Sequence, residues 1–429
     1  MTATITVQPV EASRQSQATL IASLGNILEW YDFTVYGFLA AVVAKHFFPS
    51  SEETTSLLAA FAAFGVGFLA RPLGGIVLGR AGDVRGRRFV LLSTMFLMAF
   101  ASLVIGFCPT YETIGIAAPV ILVIARLAQG FSAGGEWGGA AAFLVEWAPA
   151  GRRGLIGSYH QVGTYGGLLI GSTILAVISS MITPDALQSW GWRVPFLIGG
   201  LLGIAAMYMR RHVSETPVFR AAQAAKVSTG VKAGGLLAPV MQTMGIIVLW
   251  TVSAFGTFVY MAAFTQKYAG LTRPEALWSN AIGLIVVVTL IPVAGAVSDR
   301  IGRRVTMGLS AIGFSILSVP LFYLMAGGAP FTTVVGIQII FAVLTALIAG
   351  PGPAAVSELF VTRSRNTWMS ISAAISVTIF GGFAPFISTY LIEKTGITIS
   401  AAFYVVFAAV VTGITILTMR ETAFEQLRS

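Results

Sequence analysis

Charge is what this chain has least of. Asp, Glu, Lys and Arg make up 10% of its 429 residues, against 56% hydrophobic. A soluble domain carries about 25% charged residues, so there is too little polar surface here to cover a core of this size. A water-soluble globule is excluded, and a polytopic membrane protein fits. Cysteine is nearly absent: Cys108 stands alone, which rules out an intramolecular disulfide framework and any CxxC site. Histidine is also scarce. His46, His160 and His212 lie far apart, so no metal cluster or nucleophile–base pair is indicated, and neither an enzyme nor a resident cofactor is expected. There is no GxxxxGK[ST] loop, which argues against ATP-driven work. Residues 1–18 lack an apolar run ahead of a cleavage site, so no cleaved leader is expected.

What is there is apolar sequence in repeated lengths. A helix needs about 20 apolar residues to cross a bilayer core. Twelve such segments are predicted: 19–42, 57–80, 88–107, 117–147, 155–181, 194–210, 236–267, 274–298, 305–326, 331–360, 366–392 and 398–419. The longest polar connection, 211–235, sits at the midpoint and reads as a linker between units 1–210 and 236–429. The net charge of +9 is not spread evenly. Of the 26 basic residues, 19 fall on the side that holds both termini, and only Lys45, Arg193, Lys267, Arg273 and Lys394 fall on the other. Positive loops stay inside, so both termini are expected in the cytoplasm. Basic residues at segment ends indicate a lipid partner and not nucleic acid.

The chain also repeats itself. "GRAGDVRGRR" (79–88) follows segment 2, and "GAVSDRIGRR" (295–304) follows segment 8. Their aspartates, Asp83 and Asp299, are 216 positions apart. "VEWAPAGRRG" after segment 4 and "SELFVTRSRN" after segment 10 place Glu146 and Glu358 at nearly the same offset. Six spans are therefore repeated as six spans in parallel. With these loops the whole chain resembles the major facilitator transporters. One position departs from the usual pattern: Val84 stands where Arg is common, while the second copy has Arg300. "GNILEWYDF" (25–33), "GFLARPLGG" (67–75), "ARLAQGFSAGGEWGG" (125–139) and "WGWRVPF" (190–196) resemble the narrower metabolite:proton symporter family. That resemblance implies an all-α fold of twelve helices in two pseudo-symmetric six-helix halves. It also implies a substrate among citrate, 2-oxoglutarate, shikimate, dicarboxylates and zwitterionic osmolytes such as proline and betaine.

Candidate residues cluster in the first half. Asn26, Glu29 and Asp32 recur every three residues and share one helical face. A carboxylate within the bilayer costs a few kcal/mol, and two on adjacent turns repel, so one of Glu29 and Asp32 is expected to hold a proton. Arg126 and Gln129 share a face of segment 4 with Glu136 two turns further on. An arginine suits a substrate carboxylate; a structural ion pair with Glu29 or Asp32 is the plainer alternative. Asn26, Tyr36, Arg126, Gln129, Gln161 and Tyr165 are the expected substrate contacts. Glu29, Asp32, Glu136 and His160 are the expected ion-coupling groups. Arg71 is expected to reach toward the cytoplasm or pair with Asp83. In the second half only weaker candidates remain: Thr257, Tyr260, Phe264, Gln266, Gln338 and Ser357. Asp83, Arg87, Arg88, Glu146, Arg152, Asp299, Arg303, Arg304 and Glu358 are expected to form a cytoplasmic gate. Its aspartates would sit at helix N-termini, and its arginines would pair with Glu146 and Glu358.

These expectations combine into a monomeric, inner-membrane symporter driven by protons, or by sodium. The unpaired arginine and the positive charge favour an organic anion such as citrate, 2-oxoglutarate or another dicarboxylate. The chain ends soon after segment 12, without the long coiled-coil tail that osmosensing relatives often carry, so an osmolyte such as proline or betaine ranks second. A shikimate-type symporter is a further alternative. A transceptor that binds without moving its ligand is the alternative of a different class, separated by net flux in proteoliposomes.

Overall fold

The computed structural model describes residues 26–85, 87–134, 137–149, 151–210 and 236–427, and the predicted linker 211–235 lies outside them. Among the described residues, ten helices are long and apolar enough to span a bilayer, and two bent pairs bring the number to twelve. In chain order α1 is the pair Asn26–Phe38 and Ala40–Phe47, bent by 65°. It is followed by α2 (Glu53–Leu78), α3 (Phe89–Phe107), α4 (Ala117–Ala133 with Trp137–Glu146) and α5 (Arg153–Met181). The pair Pro184–Gly191 and Arg193–Tyr208, bent by 46°, forms α6. The second half comprises α7 (Leu237–Val259), α8 (Arg273–Ile301), α9 (Arg303–Ala326), α10 (Phe331–Leu359), α11 (Arg365–Thr395) and α12 (Ser400–Thr418). Every predicted segment overlaps one of these helices, residues 19–25 of the first lying outside the described residues. The two bends and the early start of α6 were not expected.

Local sequence explains the ends. Thr272 and Glu275 form a reciprocal capping box at the start of α8, with Pro274 in the first turn. The turn from α8 to α9 passes through Gly302 at φ 103°, a conformation that excludes most side chains. Large apolar side chains such as Phe96, Phe100, Ile124, Ile316 and Leu417 point outward and form the lipid-facing surface. Three helices carry a wide π turn: Leu187–Gly191 in α6, Phe255–Val259 in α7 and Val377–Gly382 in α11.

Close approach of helices depends on missing side chains. On α2 and α4, a methyl group at Gly130 would overlap the Gly67 carbonyl, and one at Gly134 would overlap the Arg71 carbonyl. Across the halves, Gly154 of α5 meets Gly295 of α8 backbone to backbone. Higher on the same pair, Ser172 donates to the Leu277 carbonyl at 2.9 Å. Thr378 of α11 donates to the Phe68 carbonyl of α2 at 2.9 Å. Small residues at such crossings let backbones pack directly, the usual adhesive between helices in lipid. Replacing Gly130 by Ala is expected to force α2 and α4 apart at a cost of about 1–3 kcal/mol. A thermal unfolding curve of the purified protein checks it; an unchanged midpoint would contradict this packing.

Candidate functional site

The three polar residues of the α1 stripe meet three different partners. Asn26 donates to the His160 carbonyl (2.9 Å) and to Thr164 Oγ1 (3.1 Å), tying α1 to α5. Glu29 pairs with Arg71 Nη2 of α2 at 3.4 Å. Asp32 is 3% exposed, and its Oδ1 has no hydrogen-bond partner among the described residues. It faces Ser102 of α3, and α6 packs against it through Gly199. Glu29 and Asp32 border a cavity of about 30 Å³ that Thr94, Met95, Met98, Ser132 and Gly203 help to line. A space of that size holds a water molecule or two. The two carboxylates therefore differ: one is neutralised by an arginine, the other is not.

Arg126 is fully buried on α4. Its guanidinium lies over the rings of Phe33, Tyr36 and Phe64, at 4.9, 4.6 and 5.2 Å from their centroids. Nη1 donates to Gln129 Oε1 at 2.9 Å, while Nε and Nη2 have no partner among the described residues. Gln129 Nε2 in turn donates to Ser102 Oγ at 2.9 Å. Ser102 thus accepts from Gln129 and faces Asp32, so polar groups line the way from Arg126 through Gln129 and Ser102 to Asp32. Neither Glu29 nor Asp32 lies within ion-pair distance of Arg126, so the plainer expectation of a structural salt bridge there fails. Tyr36 supplies a ring to this cage and donates its hydroxyl to the Ala60 carbonyl at 3.0 Å.

Arg71 occupies a second cage. Its guanidinium lies 5.1, 4.6 and 4.6 Å from the ring centroids of Trp30, Phe33 and Phe68. Phe33 is common to both arginines. Arg71 was expected to reach toward the cytoplasm or Asp83; burial and its Glu29 partner hold it inside instead.

On α5, Gln161 Nε2 lies 3.0 Å from His160 Nδ1, and both side chains are buried. Tyr165 sets its ring edge-on to Phe258 of α7, 6.5 Å between centroids. In the second half, Thr257 and Ser357 spend their hydroxyls on carbonyls of their own helices. Gln266 bonds to the Ala262 carbonyl and to Arg273. Tyr260 and Phe264 are packed against each other and other rings. Gln338 is different: it is 1% exposed with neither amide atom bonded among the described residues.

The helix ends at the start of α5 and the end of α8 are bridged. Asp299 accepts from the Gly154 and Leu155 amides (2.8 and 2.9 Å) at the start of α5, where a carboxylate is favoured by the helix dipole. Arg303 pairs with Asp299 at 2.8 Å and with Glu358 at 3.3 Å. Arg153 joins Glu358 at 3.0 Å, and Arg365 joins Glu146 at 2.5 Å. Two expectations need correction. Arg152 is exposed, and Arg153 takes the inward role, since adjacent helical residues face different directions. Arg304 does not reach Glu146 or Glu358; it bonds to the Ile416 and Leu417 carbonyls, and Glu421 accepts its backbone amide. The side chains of Asp83, Arg87, Arg88 and Glu136 lie outside the described residues. Sequence reasoning missed Ser102, Arg153 and Asn280 as polar contributors. Their signal was a lone polar group in an apolar run, or a basic neighbour of the residue chosen.

Comparison with known proteins agrees with this layout. Residues 18–230 match the family described as Sugar (and other) transporter, and residues 246–428 match the Major Facilitator Superfamily. The proline/betaine transporter of Escherichia coli K12 is 33% identical, covering 98% of this chain and 86% of the relative. The ectoine/proline transporter of Corynebacterium glutamicum is 34% identical over 94% of this chain and 84% of the relative. The glycine betaine/proline/ectoine/pipecolic acid transporter of Dickeya dadantii is 33% identical, over 98% of this chain and 86% of the relative. Among solved structures, the xylose transporter of E. coli in a partially occluded inward-open form aligns with a TM-score of 0.79 at 18% identity. That alignment covers 97% of this chain and 100% of the other. This last likeness shows the fold alone.

The bridged end makes a direct prediction. Glu358→Gln leaves Arg153 buried beside a neutral group and strips Arg303 of one of its two carboxylates, and breaking a buried pair in this way costs about 3–5 kcal/mol. The purified variant should unfold at a clearly lower temperature than wild type; equal midpoints would show that the bridge contributes nothing.

Proposed function

Because the chain belongs to the major facilitator superfamily of secondary transporters, we propose that it takes up a zwitterionic osmolyte of the proline and betaine kind together with a proton. The observation that carries this reading is Arg126: a buried guanidinium with two unbonded nitrogens and no carboxylate partner among the described residues. It can receive one carboxylate in the fork geometry that arginine favours.

The charge balance supports a zwitterion over the di- and tricarboxylates favoured by the sequence alone. Arg71 is already offset by Glu29. Among the described residues of this region, that leaves one positive group, Arg126, and one negative group, Asp32. A citrate would bring several negative charges to a single cation, and their excess would stay buried and unpaired. A betaine or proline brings one negative charge, which Arg126 offsets, and one positive charge. The names of the relatives point the same way. The preference for an organic anion rested on an arginine that serves a zwitterion's carboxylate equally well.

Coupling follows from the polar chain. With Asp32 ionised, its charge acts on Arg126 through space and through Ser102 and Gln129. A proton on Asp32 removes that attraction and leaves the guanidinium free for substrate. Loss of the proton restores it and expels the carboxylate. Asp32 is the carrier in this scheme, because Glu29 is held by Arg71. Between these states the units 1–210 and 236–429 rock about the seam, and the bridges from Arg153 to Glu358 and from Glu146 to Arg365 break and reform. The protein works as a monomer in a bacterial inner membrane with both termini in the cytoplasm, the orientation that its basic loops support.

Arg126→Gln is expected to weaken betaine binding by about 2–5 kcal/mol, the usual loss on truncating one member of a buried charge pair. Calorimetric titration of the detergent-purified protein with betaine, proline and citrate checks it. Tighter binding of citrate than of betaine, or unchanged affinity in the variant, would overturn the reading.

A further inference from the structure

We propose that a second subsite, built by Tyr165 of α5, Phe258 of α7, Asn280 of α8 and Gln338 of α10, receives the cationic end of the zwitterion whose carboxylate binds Arg126. The proposal rests on the uptake reading above and adds the half of the ligand that Arg126 cannot recognise.

The first observation is a set of buried polar atoms without partners. Asn280 is fully buried, and its Oδ1 has no hydrogen-bond partner among the described residues. Gln338 is 1% exposed with both amide atoms in the same condition. A polar atom shut away from water with its bond unmade is costly to keep, and a ligand that makes the bond recovers that cost. The hydrogen bonds also settle which way Asn280 faces. Ser172 Oγ donates its single proton to the Leu277 carbonyl at 2.9 Å, so toward Asn280 it can only accept. The 3.3 Å contact is therefore from Asn280 Nδ2, and the carbonyl oxygen is the atom left free.

The second observation is placement. Gly283 lies one turn along α8 from Asn280, on the same face. A methyl group there would come within 3.1 Å of Gln338 Cβ and 3.3 Å of Phe258 Cε1. Phe258 in turn meets the Tyr165 ring edge-on. Gly283 of α8 thus borders Gln338 of α10 and Phe258 of α7, Phe258 borders Tyr165 of α5, and Asn280 lies one turn away on the same face of α8. None of these four groups carries a formal charge. Amide oxygens and ring faces attract an ammonium, and an alkylated ammonium above all. They offer no cation to a second carboxylate.

The third observation joins this point to Arg126. Phe258 belongs to the π turn Phe255–Val259 of α7. Phe255, three residues earlier, packs on Phe64 and Phe68 at 5.6 and 5.3 Å, the rings that enclose Arg126 and Arg71. One wide turn therefore holds both ends of the site in fixed relation, a common place for such a turn to occur. The zwitterion is oriented with its carboxylate toward α4 and its cation toward α8 and α10.

The test compares betaine with 3,3-dimethylbutyrate, which keeps the carboxylate and the shape but carries a neutral tert-butyl group in place of trimethylammonium. Binding of both is measured on purified wild type, Asn280→Leu and Gln338→Leu. Wild type should prefer betaine by roughly thirtyfold, the size of a desolvated cation–π interaction. In each variant that ratio should fall toward one while 3,3-dimethylbutyrate still binds, which also shows that the variant is folded. Variants that keep the wild-type ratio overturn the subsite and leave the uptake reading intact. So does a wild type that binds the two ligands equally, without recourse to any variant. A wild type that binds neither overturns the uptake reading, and the subsite with it.

Discussion

A guanidinium buried without a carboxylate is the constraint on which the rest of this structure turns. Taking such a charge out of water costs several kcal/mol. In Arg126 that cost is offset by three aromatic faces and one amide oxygen, each a weaker partner than an ion. The cage exists only because α2 comes close to α4, and α2 comes close because Gly67, Gly130 and Gly134 lack side chains. Tyr36 is held as a wall by its bond to the Ala60 carbonyl. Phe33 serves Arg126 and Arg71 together, so the two cations share one aromatic layer and only one of them has an acid to match. The site is stable enough to fold and unsatisfied enough to bind.

Position relative to the seam gives that imbalance a use. The cage touches α7 of the second half through Phe255, and at one end of the bundle the halves are fastened by Asp299, Glu358 and Glu146. The fastening is polar and local, and a few charged contacts can exchange without disturbing helix packing elsewhere. The central contacts are aromatic and broad. A rocking motion that keeps the centre packed and releases the ends is the movement such a division of contacts favours.

Much of this architecture was legible in the sequence, for a physical reason. Apolar length and loop charge are summed over many residues, so twelve spans and their repeat emerged from pattern, and the repeat with the family resemblance singled out Asp299, Arg303 and Glu358, which the structure brings together. The bends in α1 and α6 did not, because apolar length does not register them: the one at Leu39 has no proline beside it, and the one at Trp192 lies three residues before Pro195 within an apolar run. Partner choice was the other blind spot. That Glu29 faces Arg71 while Asp32 faces Ser102 is decided across helices, and a three-residue spacing gives only a shared face. Arg152 and Arg153 are neighbours in sequence, and only the structure shows which one turns inward. The ranking of substrates turns on a related gap: one unpaired arginine marks a carboxylate, and it does not say whether a cation accompanies it.

The central claim is that Asp32 carries the proton whose arrival frees Arg126. The direct measurement is made on Asp32→Asn in proteoliposomes with a pH-sensitive dye inside. Wild type should acidify the lumen when betaine is added outside and should accumulate it against its gradient. The Asn variant should still exchange labelled betaine across the membrane, since an amide mimics the protonated acid, but should neither acidify the lumen nor accumulate substrate. Uphill accumulation with lumen acidification in Asp32→Asn would contradict the claim.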